Sequence, residues 1–406
     1  MTRLTKESKF LLTVGILVTA GMMVANTFVN VFLLRATEGN VGLIIIQSAI
    51  NFVALLVAFV SGSKLLSKIS ITTFLKIGIT SMAFYFIAVL ILQNNVAIFL
   101  IPLALFNGLG QGFYWFSTNL LVAKIIKERE QGRYFGFQQT TGSIFGVITP
   151  AISGFIITRF TDLTGYYLLF GTALLLFVLG IFMIKHIPGF TSETKIHIYD
   201  VLKLKGNRYW NACKSYTFVV ALNSSINNQI FMLFAFLIFT NEGVMGNLLS
   251  ATAIITIFSS FWFAKISRRE NQQPFYFVTA VSSTVIYILL ALFPYVPIFI
   301  AALVIFAVTR NWATVILQSL IFQLTSRAKG DYKQNDYLVA IEFPMALGRV
   351  VGMAIALLLI HLIASDIHVY RILFIVIAIA WILEYIIIEK KIKWFRDELE
   401  NEDVVS

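Results

Sequence analysis

The stretch KHIPGFTSETKIHIYDVLKLKGNRYWNACKSY occupies residues 185–216 and is the longest polar segment of a 406-residue chain. On both sides of it, apolar runs of about 20 residues, each long enough to cross a hydrocarbon core, follow one another. The chain is 58% hydrophobic and 13% charged, with 38 phenylalanines, and its mean hydropathy is +0.85. A soluble domain carries roughly 25% charged residues. Such a composition describes a polytopic membrane protein, all-α, whose surroundings are the lipid bilayer.

Twelve spans are read at 10–34, 41–62, 73–92, 97–123, 134–158, 166–184, 216–240, 247–264, 275–293, 297–323, 337–363 and 371–389, six on each side of the polar segment. With the N-terminus in the cytoplasm, 26 of the 31 Lys and Arg fall on the cytoplasmic side. Arg35, Arg159 and Arg371 fall on the other side, and Arg310 and Arg349 inside spans. Positive charge is retained on the cytoplasmic side during insertion, so this asymmetry supports the span count and places both termini in the cytoplasm of a cell-membrane protein. The net charge of +11 is then a consequence of topology, and no nucleic-acid partner is expected. The single cysteine, Cys213, excludes an intramolecular disulfide. No Cys/His set has metal-ligand spacing, and no cofactor is expected. The opening MTRLTKESKF leads into a long first span without a small-residue cleavage site, so no removable signal peptide is read.

The polar segment separates halves that resemble each other. VAIFLIPLALF at 96–106 matches VPIFIAALVIF at 296–306, and EGNVGL at 38–43 matches EGVMGNL at 242–248. Tyr85 aligns with Tyr287 and Tyr134 with Tyr337, at nearly the same offset. Six spans per copy is an even number, so both copies enter the membrane from the same side and are parallel repeats. Parallel halves with a site at their interface describe one class of secondary transporter. In this arrangement the chain resembles the major facilitator superfamily over nearly its whole length. The expected organisation is an N-terminal half (1–185), a central loop (186–215), a C-terminal half (216–390) and an acidic tail (391–406).

The motifs of that family are present in altered form. Its loop between spans two and three reads approximately Gly-x-Leu-Ala-Asp-Arg-x-Gly followed by two basic residues. Here GSKLLSKIS at 62–70 puts Lys68 at the arginine, but Ser67 stands at the acid and Ser70 at the second glycine. The resemblance implies a gate latch in this loop; an ordinary basic loop accounts for the same residues. In span five, GSIFGVITPAISG places Gly142, Gly146, Pro150 and Gly154 on a four-residue period. That spacing lets a second backbone approach one helix face, and Pro150 removes a backbone hydrogen bond. The stripe resembles the antiporter motif of the family, which implies export by exchange, and it reads equally as a packing seam. After span four, KEREQGRYFG resembles the basic loop of the family. In that span, NGLGQGFYWF resembles its glycine-rich helix, with Ala104 where many members carry an arginine.

Polar residues inside the spans are the candidates for chemistry. Helical periodicity sets Asn107, Gln111, Trp115 and Thr118 on one face of span four. Span one offers Asn26 and Asn30, and span seven offers Asn223, Asn227 and Asn228 in NSSINNQ. The resemblance implies that these spans, with span ten, line the central cavity, which makes the amides candidate solute ligands; hydrogen bonds between helices are the alternative. Charges at depth cost about 2.5–3.5 kcal/mol each. Arg310, with Thr314 and Gln318 on its face, is a candidate anchor in span ten. Glu342 and Arg349 are seven residues apart, two turns along one face of span eleven, and Arg349 leans towards Glu342. Together they are read as a coupling or gating element, or as a static ion pair that fixes packing. Glu384 is read as interfacial because Lys390 and Lys391 follow it.

The expected function is secondary active transport of a small solute by alternating access, with protons as the coupling ion, export as the direction and the monomer as the acting unit. The excess of cations within spans favours a neutral or anionic solute. An uptake permease for a sugar or metabolite, a multidrug efflux pump, and a non-transporting sensor on the same scaffold are the alternatives. No GxSxG, HExxH or GxxxxGK[ST] occurs, so an enzyme is not expected. The central loop's IYDVLKLKGNRYW is read as a short helix on the inner leaflet or a plain linker, and the tail RDELENEDVVS as disordered.

Overall fold

The computed structural model describes residues 4–126, 128–160, 163–191, 197–239, 241–266, 272–328, 332, 334–362 and 366–405. Several residues behind the charge asymmetry, including Arg3, Lys127, Lys195 and Lys329, lie outside them, as do residues 192–196 of the central loop and Ser406 of the tail. The regular structure among the described residues is helical throughout. Twelve helical stretches are long and apolar enough to cross a membrane, each overlapping one of the expected spans.

Span one is broken into α1 (Lys6–Asn26) and α2 (Val29–Ala36). No proline or glycine causes the break; the Thr27 hydroxyl donates to the Met23 carbonyl, a competition with the backbone ladder that bends helices. Next come α3 (Val41–Leu65), α4 (Ile71–Leu92), α5 (Leu100–Ile125), α6 (Glu128–Arg159) and α7 (Thr164–Ile184). After the short α8 (Ile198–Lys203) follow α9 (Arg208–Phe239), α10 (Glu242–Ile266), α11 (Gln272–Leu292) and α12 (Val296–Arg327). Span eleven is α13 (Gln334–Ala340) followed by α14 (Glu342–Leu362). Pro344 has no N–H to offer the Ala340 carbonyl, which accounts for the interruption. The chain ends in α15 (Asp366–Val405).

One sequence expectation is corrected. The acidic tail is helical to Val405 as the continuation of α15. No glycine or proline follows Gly352, and extending an existing helix avoids the nucleation cost that leaves short isolated segments unfolded. The short helix read in the central loop forms as α8, with Ile198 and Val201 buried and the exposed Tyr199 meeting the Phe343 ring edge-on at 6.4 Å.

By packing, the chain forms two units. One comprises Met1–His197 with Phe239–Ser250; the other comprises Ile198–Ile238 with Ala251–Ser406. The first turns of α10 therefore pack with the first six spans. The first unit has a ring cluster in which Phe32 meets Tyr166 and Phe170, and Phe86 meets Phe170 and Phe177. The second has one in which Phe231 stacks on Phe299 at 4.6 Å, with Phe234, Tyr287, Phe306 and Phe374 around them. Tyr85 and Tyr287, and Tyr134 and Tyr337, the tyrosine pairs aligned by the repeat, are all fully buried. Without a hydrophobic drive between helices in lipid, such close packing is what holds the bundles together.

Candidate functional site

In the first unit, the glycines of α5 determine how closely its neighbours approach. A Cβ at Gly112 would lie 2.5 Å from both the Leu55 carbonyl oxygen and the Ala58 Cβ of α3, and one at Gly110 would lie 2.9 Å from the Gly78 carbonyl of α4. The polar face expected on this helix is divided: Asn107 and Thr118 are buried, Gln111 is half-buried and Trp115 is exposed. On span one, Asn26 is exposed at the break and Asn30 half-buried just beyond it.

The glycine stripe of α6 is likewise divided. A Cβ at Gly142 or Gly146 would meet nothing within 4 Å, whereas one at Gly154 would come 2.5 Å from the Glu242 carbonyl oxygen. The Pro150 carbonyl in turn faces Gly246. The close helix approach read from the period thus occurs at its Pro150–Gly154 end, against the first turns of α10. Lys68 is exposed, and its loop is held instead by Ser70, whose Oγ accepts from the Thr73 N–H, and by the Ile71 N–H donating to the Phe190 carbonyl.

A cluster that the sequence reading missed lies nearby. Arg35 at the end of α2 pairs with the buried Glu242, and the Tyr166 hydroxyl donates to the same carboxylate oxygen at 2.7 Å. Arg35 also lies over the Tyr166 ring. The available signal was the EG repeat at 38 and 242, which marks two matching helix entrances. Glu242→Ala leaves the buried Tyr166 hydroxyl without its acceptor, a cost of about 1–3 kcal/mol. Hydrogen exchange of the full-length protein is expected to quicken in the first turn of α10, by roughly 5- to 150-fold. Unchanged exchange there would mean that this cluster does not hold the helix.

In the second unit, three amides of α9 have three different fates. Asn223 is buried and donates from Nδ2 to Glu384 Oε2 at 2.7 Å. Asn227 is buried and accepts from the Tyr287 hydroxyl. Asn228 is exposed and accepts from Arg310 of α12. The Thr314 hydroxyl donates to the Arg310 carbonyl at 3.1 Å, and Gln318 is exposed. On α14, Arg349 Nη1 approaches Glu342 Oε2 to 3.9 Å, and neither side chain is more than 21% exposed. Glu384 is buried against protein: it is 2% exposed, and Tyr276 of α11 donates to its Oε1 at 2.6 Å. Lys390 is six residues along, about 9 Å of helix rise, and the carboxylate is held instead by partners on α9 and α11.

The family model of the Major Facilitator Superfamily matches residues 11–333. The chain belongs to this superfamily. It is therefore a multi-pass membrane transport protein. Among curated relatives, the uncharacterized protein YqgE of Bacillus subtilis (strain 168) is 25% identical over 365 residues, 89% of this chain and 84% of that one. A protein encoded in the sodM 3' region of Geobacillus stearothermophilus is 28% identical over 168 residues, 41% of this chain and 78% of that one. Of solved structures, a bacterial homologue of the iron transporter ferroportin in an inward-facing state superimposes with a TM-score of 0.67 at 13% identity, covering 96% of this chain and 99% of that one. The nucleoside transporter NupG gives 0.69 at 11% identity, covering 96% and 100%. A D-xylose–proton symporter gives 0.66 at 12% identity, covering 92% and 96%. At such identities the likeness conveys the fold, and the differing cargoes of the three leave the solute of this superfamily member to its own residues.

Proposed function

We propose that this superfamily member is a secondary active transporter of the cell membrane, both termini cytoplasmic, that exports a small neutral or anionic solute by alternating access in exchange for protons, acting as a monomer. The observation that carries the solute class is Arg310, a guanidinium within a span that is bonded to the exposed amide of Asn228. Together they present charged and neutral donors, a set suited to carboxylate, phosphate or carbonyl oxygens. Asn26, Asn30, Asn107, Gln111, Trp115, Asn227 and Gln318 remain the proposed further ligands. Proton coupling is a chemistry this architecture supports, since a proton symporter shares the fold.

Glu342 is the proposed coupling residue and Arg349 its switchable partner, with Lys68, Gly142, Gly146, Pro150 and Gly154 as gating positions. A separation of 3.9 Å is at the outer edge of a contact pair, so protonation of Glu342 would release Arg349 without breaking a short hydrogen bond. The test is flux of labelled solutes in proteoliposomes that contain only this protein. Solute movement driven by a pH gradient is expected in wild type, and Glu342→Gln is expected to lose the gradient-driven accumulation while keeping solute–solute exchange. A mutant that still concentrates solute under a pH gradient places coupling elsewhere, and protein without flux for any solute would favour a sensor.

A further inference from the structure

Glu384 lies inside the span His368–Glu389 and is buried with two neutral hydrogen-bond donors, Tyr276 on Oε1 and Asn223 on Oε2. Among the described residues it makes no ion pair. The titratable groups within electrostatic range of it are Tyr216 of α9, itself within range of Cys213, Tyr276 of α11, and Arg310 of α12. On α14, Glu342 and Arg349 face each other. On α15 itself, Glu389 accepts from Gln273. Two buried polar atoms beside the carboxylate have no partner: Asn223 Oδ1 and the Tyr216 hydroxyl.

That combination can serve either protonation state. An ionised carboxylate with no contacting cation is costly when buried, and a protonated one needs an acceptor for its O–H. A primary amide offers both faces. With Nδ2 towards Glu384 it serves the anion, and turned by half a rotation it presents Oδ1, now unpartnered, to accept from the acid. We infer that Glu384 is a proton-binding site, with Asn223 as the amide that serves either state. A proton from a hydronium ion bonds to Oε2 and leaves water behind, Asn223 Oδ1 accepts the new O–H, and Tyr276 continues to donate to Oε1. Loading the site removes the negative charge within reach of Arg310, so Arg310 and the exposed Asn228 it holds become sensitive to the proton. This deepens the proposed proton-coupled transport and rests on it for the role of the proton.

The test is an infrared pH titration of the full-length protein in lipid, reading the C=O stretch of a protonated carboxylic acid. Of the absorption that grows on acidification, one component is expected to be lost in Glu384→Gln and to persist in Glu342→Gln, which removes only the component of its own carboxyl. Asn223→Leu and Tyr276→Phe, which keep the acid but remove a partner, are expected to shift the Glu384 component, so the proposal stays testable if Glu384→Gln fails to fold. A titration of Glu384→Gln that superimposes on wild type overturns the inference, as does a band that neither partner variant moves. No gradient or solute is needed, so flux without the band removes only this inference, and the band without flux removes only the transport reading.

Discussion

Gly348→Val is expected to leave almost no folded protein in the membrane fraction. At this position α14 rests directly on the backbone of α9: a Cβ would run into the Phe218 carbonyl oxygen and lie 3.1 Å from the Leu222 nitrogen. Neither atom can swing aside as a side chain does, so accommodation requires the helices to separate. Overpacking a core by a few methyls costs about 1–3 kcal/mol and sometimes more, and here Gly352 one turn on would lose its contacts too. Gly352→Ala is the milder change, because its first obstacle is the Ser225 hydroxyl, followed by the Leu222 carbonyl at 2.8 Å. Adding Ser225→Ala to Gly352→Ala is expected to recover part of the loss, and Gly142→Val, whose Cβ would meet nothing within 4 Å, is expected to fold as wild type. Size-exclusion profiles of fluorescent fusions measure all four. Wild-type profiles for Gly348→Val would mean that α14 and α9 are not joined along this seam.

Hydropathy and charge placement were enough to read the spans, because crossing a bilayer constrains composition residue by residue. For Gly348 and Gly352 of α14 the sequence offers only two small residues one turn apart, since what they touch on α9 lies more than 120 residues away. Glu384 shows the same limit more sharply. Its neighbours in sequence said nothing of its hydrogen-bond partners, 161 and 108 residues distant, which bury it against α9 and α11. The α6 stripe was legible in part: period four is satisfied along its whole length, and the Pro150–Gly154 end meets another backbone while a Cβ at Gly142 or Gly146 would meet nothing within 4 Å. Periodicity identifies a face and not what occupies it. The Glu342–Arg349 pair was legible because both members share one helix, where geometry follows from the count of residues.

Arg310→Gln is expected to weaken binding of the transported solute by roughly 30-fold or more, the scale of about 2–5 kcal/mol seen when one partner of a buried charged contact is removed. Glutamine retains a donor for Asn228, so the change isolates the charge and the planar fork. Arg310→Lys restores the charge without the fork and is expected to fall between the two, since an ammonium cannot make the paired contacts of a guanidinium. The readout is solute-dependent thermal stabilisation, using whichever labelled solute moves in proteoliposomes. Unchanged affinity in Arg310→Gln would remove Arg310 from the site, and tighter binding would indicate a cationic solute instead. The position of Arg310 also makes a quantitative demand on its neighbour. It holds the exposed Asn228, and its charge reaches Glu384. If one charge answers the other, the effects of Arg310→Gln and Glu384→Gln on solute affinity must be non-additive, because coupled residues deviate by about 0.5–3 kcal/mol from the sum of their single changes. Additive effects would assign the guanidinium to the solute alone and leave the buried carboxyl without a route to it.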